Sequence, residues 1–439
     1  MFKRKNLFVL VLISVLIFSV TFIGLAQEKT EIDFWYALSG AIAETTLELV
    51  EGFNETHPSI HLNAVNKGTY SEALTSAVAA YRSGDAPDIV QVYEVGTQTM
   101  LDSGAVHPLW KLVEEYDLNI DTENFIAPVK SYFEVDGKLA SLPFNSSTPV
   151  MYYNKDAFEE AGLNPNHPPR TFAEVEEMGQ QLINNSDVKY ALTAGWPSWT
   201  LLENMHTWHR QPIANNNNGY SDYATELRIN QDFGVELFET YRDWQQENIF
   251  TYQGREGSPN PSFLGGDIGM IITSTAYLSG FQDAAEFEIG TTFLPHMQGY
   301  PRGNSLIGGA TLWALKGNSE EEQEATAKFL EYVARTDNQV FWHKNTGYFP
   351  VTNSAVRRLL DEGWFSNNPN YLTAFLQMST GVTTEQNKGL RLGNFVSIRN
   401  VLLNQIESMF GGDRTPERAL NRAVREVNGI LDNYVSSQE

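Results

Sequence analysis

The feature that most constrains this chain is an alternation near its start. Residues 32–36 read as a strand. Residues 43–54 read as a helix, with Leu47, Val50 and Phe53 at helical spacing, and His57-Pro58 stops it. Residues 60–65 alternate like a strand. Residues 70–82 form a second helix carrying Leu74, Ala77, Val78 and Tyr81, which Gly84 ends, and residues 88–93 read as a buried strand. Strand–helix–strand–helix–strand implies an α/β fold with a mostly parallel sheet. Ligands of such sheets sit beyond the carboxyl ends of strands. Tyr70 and Glu94 fall just after the second and third strands.

Further on, Asn215 to Asn218 with Gly219 make a polar loop, residues 233–246 a helix and residues 268–272 a buried strand. Ser319 and Glu322 form a capping box ahead of Ala325, Phe329, Leu330 and Val333, and a last helix spans residues 415–434. No repeat and no Gly/Ser or Pro-rich linker appears. Two α/β bodies in 439 residues must then be joined by ordinary strands.

The opening Met1-Phe2-Lys3-Arg4-Lys5, the apolar run from Leu7 to about Ile23 and the closing Gly24-Leu25-Ala26 describe a secretory signal peptide cleaved after residue 26. An uncleaved signal anchor is the competing reading. The rest is expected to be exported, soluble and periplasmic. The chain has no Cys, which removes disulfides, thiolate metal sites, a Cys nucleophile and a lipid-attachment Cys. A formal charge of -24 disfavours nucleic acid as a partner.

No phosphate loop, GxGxxG, GxSxG or HExxH occurs, and no nucleophile is set beside a base. His206 and His209 are spaced like a metal pair but lack an obvious third ligand, so a polar loop or helix face is the expectation. No cofactor, metal or enzymatic activity is expected.

Seven segments occur in order: Lys67-Gly68-Thr69-Tyr70, Val92-Tyr93-Glu94-Val95-Gly96-Thr97, Pro143-Phe144-Asn145-Ser146-Ser147-Thr148-Pro149, Tyr152-Tyr153-Asn154-Lys155-Asp156-Ala157-Phe158, Ile307-Gly308-Gly309-Ala310, Thr346-Gly347-Tyr348 and Lys388-Gly389-Leu390-Arg391-Leu392-Gly393-Asn394. With these the chain resembles the extracellular solute-binding proteins of ABC importers, in particular their sn-glycerol-3-phosphate-binding branch. The resemblance implies a two-lobe, maltose-binding-protein-like (type II) periplasmic-binding-protein fold with a hinge and an interlobe ligand cleft. It implies lobe 1 at 27–130 and 287–343 and lobe 2 at 131–286 and 344–439. The implied partners are membrane permease subunits and a small-molecule ligand, glycerol-3-phosphate or glycerophosphocholine, bound by a monomer.

The resemblance also implies a ligand site. Arg391 would grip the phosphate, because its planar fork matches two oxygens. Tyr70, Ser147 and Ser274 would add hydroxyl donors, with Thr275 as a partial substitute for Ser274. Gly308 and Gly309 would let backbone N–H groups approach the anion. Glu94 would accept from glycerol hydroxyls, and Tyr348 would close another side. Trp196 and Trp199 would face the cleft and hold a choline ammonium by cation–π contact, roughly 0.5–2 kcal/mol. Two rivals stand beside this reading. One is a neutral-oligosaccharide carrier on the same lobes, with Arg391 structural. The other is an exported hydrolase, which needs a metal or a nucleophile–base pair.

Overall fold

The computed structural model describes residues 29–385 and 387–438. The expected signal peptide, residues 1–26, lies outside the described residues. Among these no helix is long and apolar enough to cross a membrane.

The alternation is present as strand Thr30–Tyr36, helix Gly40–Thr56, strand Ile60–Asn66, helix Tyr70–Ser83 and strand Ile89–Tyr93. The second helix has clear local causes. Thr69 and Glu72 satisfy each other's backbone N–H groups in a capping box, and Gly84 ends the helix at φ 78°. Its buried stripe is Ala73, Leu74 and Ala77. Leu47 and Tyr81, counted in the helical spacing, are exposed; the first helix buries Thr46, Leu49, Val50 and Phe53 instead.

The first sheet has the order Ile60–Asn66, Thr30–Tyr36, Ile89–Tyr93, Gly308–Leu315, Val106–His107, and Leu142–Ser147 also pairs with Gly308–Leu315. Its first three strands are parallel, and Gly308–Leu315 runs antiparallel to its neighbours. The second sheet has the order Phe250–Thr251, Tyr190–Ala194, Ile268–Ser274, Pro149–Asn154, Ile289–Thr292. Each sheet has its own core. Phe34, Phe53, Phe329 and Trp342 fill the first. Met151, Leu192, Trp208, Phe238 and Leu402 fill the second. This is a two-body α/β architecture, as the resemblance implies.

The chain passes between the two sheets near the lobe boundaries implied at 130/131 and 286/287. Leu142–Ser147 is still in the first sheet, and Pro149–Asn154 is already in the second. Ile289–Thr292 is still in the second sheet, and Gly308–Leu315 is back in the first. Hydrogen-bonded register assigns each of these strands to its body. Thr148 alone separates the two sheets at the first crossing. Its N and O both pair with Thr275, the N with Oγ1 at 3.3 Å and the O with the N at 3.1 Å.

His206 and His209 are corrected by the structure. They are not on a polar loop or an exposed helix face but fully buried. Nδ1 of His206 meets Leu202 O at 2.8 Å, and His209 Nε2 accepts from Met297 N at 2.8 Å. Burial lowers His206 to a pKa of about 4 and His209 to about 3. An unfolded chain protonates such residues near pH 6.5, whereas the folded one does not until far lower. Their contribution to stability is therefore complete above about pH 6.5 and is lost as pH falls. A His206→Gln variant should show a stability deficit that shrinks by about 2 kcal/mol between pH 7 and pH 4.5. Urea unfolding at the two pH values checks this, and a constant deficit would contradict a buried neutral imidazole.

Candidate functional site

The junction between the sheets is built around the start of strand Gly308–Leu315. Gly308 stands opposite Ser147, and Gly309 opposite Ser146. Gly309 has φ 91°, and a Cβ there would collide with the Asn145 carbonyl oxygen. A Cβ on Gly308 would lie 2.5 Å from Cζ2 of Trp199. The absence of side chains thus lets the Trp199 ring lie against the strand, on the face that Ser147 shares. Trp199 is buried, and its Nε1 has no hydrogen-bond partner among the described residues. The Ser146 hydroxyl is likewise buried and unpaired.

Beside this floor stand four polar aromatic and amide groups. Tyr70 opens its helix, stacks on Tyr93 at 5.2 Å and receives a hydrogen bond from Asn145 Nδ2 at 2.8 Å. Its hydroxyl lies 3.5 Å from that of Tyr348. Burial, more than any neighbour, pushes both hydroxyls above the usual phenol range, so both remain proton donors at neutral pH.

Glu94 follows strand Ile89–Tyr93 and is buried. Arg399 on helix Phe395–Phe410 donates to its Oε1 at 2.7 Å. The same guanidinium makes two bonds to Glu203, from Nε at 2.8 Å and Nη2 at 2.7 Å. Burial raises both carboxyl groups while Arg399 pulls them down. Glu203 and Trp199 lie on one π-helical turn, Ser198–Glu203, a winding that recurs at functional sites.

Trp196 precedes that turn in a left-handed conformation, φ 54°, which is costly for a bulky residue. Its N donates to Glu256 O at 2.7 Å and its Nε1 to Tyr277 Oη at 3.0 Å. Ser274 caps the turn Thr275–Tyr277, its Oγ accepting from Ala276 N at 3.2 Å. The Thr275 hydroxyl is committed to Thr148 N at 3.3 Å.

Arg391 is buried rather than on the surface. Its Nη2 donates to Tyr132 O at 2.6 Å and Glu134 O at 3.0 Å, and its guanidinium carbon lies 5.0 Å from the centre of the Tyr220 ring. Its Nε is buried and unpaired. Among the described residues, the ion pairs formed by arginines engage Arg228, Arg255, Arg358, Arg399 and Arg422, not Arg391. A buried cation held by neutral carbonyls and the Tyr220 side chain, with no carboxylate in an ion pair to it among the described residues, is suited to an anion. Its backbone is fixed by the Asn216–Asn218 segment, all three residues left-handed, where Asn218 O accepts from Arg391 N at 2.9 Å.

Tyr70, Ser147, Trp199, Gly308, Gly309 and Tyr348 thus gather at the junction. Glu94 joins them electrostatically, bearing on Tyr70 and Tyr348. The partners of Arg391 are a separate set. The link between them is Tyr132, whose hydroxyl donates to Leu390 O at 3.3 Å within the electrostatic reach of Glu94 and Arg399. Sequence reasoning missed Arg399, Glu203, Asn145 and Tyr93. The last two lie inside the quoted segments; Arg399 and Glu203 carry no local signal.

The profile of the bacterial extracellular solute-binding protein family matches residues 48–373. The sn-glycerol-3-phosphate-binding periplasmic protein UgpB of Pectobacterium atrosepticum is 36% identical over 417 residues, 94% of each chain. The protein of the same name from Escherichia coli K12 is 35% identical over 429 residues, 97% of this chain and 98% of the relative. UgpB of Mycobacterium tuberculosis, solved in complex with glycerophosphocholine, superposes with TM-score 0.77 at 22% identity, over 92% of this chain and 99% of that one. The cyclic alpha-maltosyl-1,6-maltose binding protein of Arthrobacter globiformis superposes with TM-score 0.75 at 22% identity, over 92% and 100%.

The floor of the junction makes a direct prediction. Gly309→Ala forces a side chain into both a left-handed backbone and the Asn145 carbonyl, and should cost at least about 2 kcal/mol of stability. Denaturant unfolding measures it, and an unchanged midpoint would refute the packing described.

Proposed function

The chain belongs to the bacterial extracellular solute-binding proteins, and from that premise we propose that its ligand is sn-glycerol-3-phosphate or a glycerophosphodiester such as glycerophosphocholine. Such a protein is a non-enzymatic carrier. It is the small-molecule-binding component of an ABC importer and works with membrane permease subunits outside the cytoplasm. In this reading it acts as a monomer that delivers the ligand by hinge closure between the two bodies.

The observation that carries the reading is the buried Arg391 guanidinium, with an unpaired Nε and no ion-paired carboxylate among the described residues. A phosphate group is the partner it lacks. The relatives named for sn-glycerol-3-phosphate support the ligand class, since they match nearly the whole chain. The unpaired Trp199 Nε1 and Ser146 Oγ supply further donors, and the side-chain-free Gly308–Gly309 leaves room to approach them. Ser147, Ser274, Tyr70 and Tyr348 line the same junction in this reading, and Glu94 accepts from the glycerol hydroxyls. The indoles of Trp196 and Trp199 offer faces to a choline ammonium, as suits the glycerophosphocholine complex of a relative with this fold.

Calorimetric titration and thermal shift test this together. Glycerol-3-phosphate at 100 times its dissociation constant should stabilise the protein by about 2.7 kcal/mol, and a maltodextrin should not. Arg391→Met should weaken glycerol-3-phosphate by at least about tenfold. Trp199→Ala should weaken glycerophosphocholine more than glycerol-3-phosphate. Stabilisation by maltodextrin with no response to either phosphate ester would replace this reading with the oligosaccharide one.

A further inference from the structure

Three tyrosines of the second body carry their hydroxyls to the first. Tyr220 Oη donates to Ser131 O at 3.4 Å and to Tyr132 O at 3.5 Å. Tyr223 Oη donates to Asp102 Oδ1 at 3.1 Å, and Tyr434 Oη to Asp102 Oδ2 at 2.6 Å. Asp102 ends helix Thr97–Asp102, whose Met100 packs with Val90, Val92 and Trp313 of the first sheet. Ala224, beside Tyr223, and Leu431, one turn before Tyr434, belong to the second core. One carboxylate of the first body is thus gripped on both oxygens by the second.

The second body is shaped to present these rings. Asn216, Asn217 and Asn218 have φ of 53°, 53° and 57°, and Gly219 follows at 86°. A left-handed turn of this length is costly for L-residues and persists only where its surroundings enforce it. Here Asn215 Oδ1 accepts from Thr225 N at 2.9 Å, and Asn216 Nδ2 donates to Tyr223 O at 2.7 Å. Two glycines of the segment Lys388–Asn394 make room for the rings. A Cβ on Gly389 would lie 2.1 Å from Tyr220 Oη, and one on Gly393 would lie 2.0 Å from Cδ1 of Tyr434. Tyr223 and Tyr434 meet edge to face at 6.2 Å. On the first body Gln98 Nε2 donates to Asp102 Oδ2 at 2.9 Å and orients the carboxylate.

We infer that Asp102, Tyr223 and Tyr434 form a clasp that holds the two bodies together without touching the ligand. None of the three belongs to the set gathered around Gly308 and Gly309. Burial, and then the Asp102 carboxylate, push both hydroxyls above the usual phenol range, so both remain donors. Bonds to a carboxylate are stronger than bonds between neutral groups. A contact made only when the bodies meet favours that state. Affinity for any ligand that needs this state scales with its population, so the clasp multiplies every affinity by one common factor. The residues of the cleft select the solute, and the clasp sets how firmly any selected solute is kept.

Small-angle X-ray scattering of the ligand-free exported chain tests this whatever the ligand is. The double variant Tyr223→Phe, Tyr434→Phe keeps both rings and removes both hydroxyls. Asp102→Ala removes the same bonds from the other body. Both variants should show a larger radius of gyration than the wild type. Calorimetry should then show a loss of at least about threefold in affinity, equal for glycerol-3-phosphate and glycerophosphocholine. A purely structural role would lower the unfolding midpoint and leave the scattering unchanged, and unchanged scattering overturns the clasp. A loss for one ester and not the other would put the tyrosines on the ligand, and that also overturns it. A wild type that binds neither ester overturns the ligand reading alone, and the scattering still decides the clasp.

Discussion

Strand Gly308–Leu315 arrives from the second body and inserts between Ile89–Tyr93 and Leu142–Ser147 of the first sheet. Every other feature of the junction depends on that insertion. It closes the first sheet with a strand from outside its own run of chain. It also brings two glycines to the point where the bodies meet. At Gly309 the backbone conformation and the Asn145 carbonyl leave no room for a side chain, and at Gly308 the Trp199 ring occupies the space. The same register places Ser147 across from Gly308, one residue before Thr148 carries the chain into the second sheet. The junction is therefore shaped by backbone pairing first, and side chains are added to a frame already closed on two sides.

What was legible in the residues follows from the range of each signal. The first three strands and two helices could be placed to within a few residues, because capping, periodicity and glycine stops act within one turn or one strand. Thr69, Glu72 and Gly84 are examples, each acting on its immediate neighbours. The strands of the junction gave no such signal. Leu142–Ser147 and Pro149–Asn154 are buried on both faces, so neither alternates, and each contains a proline. Their assignment to different sheets is decided by partners far along the chain.

The site divides in the same way. Tyr70, Glu94, Ser147 and Arg391 stood out because they sit in compact motifs. Arg399 did not, because its two partners are 305 and 196 residues away in sequence. Nothing in the pattern around Arg399 distinguishes it from the exposed arginines of the last helix, such as Arg422. The two histidines were misplaced for a related reason. Their burial comes from neighbours such as Phe233 and His296, which lie outside their own helix.

The pairing of charges treats the two arginines differently. Arg399, its side chain 12% exposed, takes both Glu94 and Glu203 at the junction, while the buried Arg391 bonds to the carbonyls of Tyr132 and Glu134. Carbonyl oxygens orient a guanidinium without cancelling its charge. The protein thereby keeps a cation available inside a chain of formal charge -24. Acidic side chains at the surface are screened beyond about 8 Å at physiological salt. The local arrangement around Arg391, not the total charge, therefore sets the field at its guanidinium.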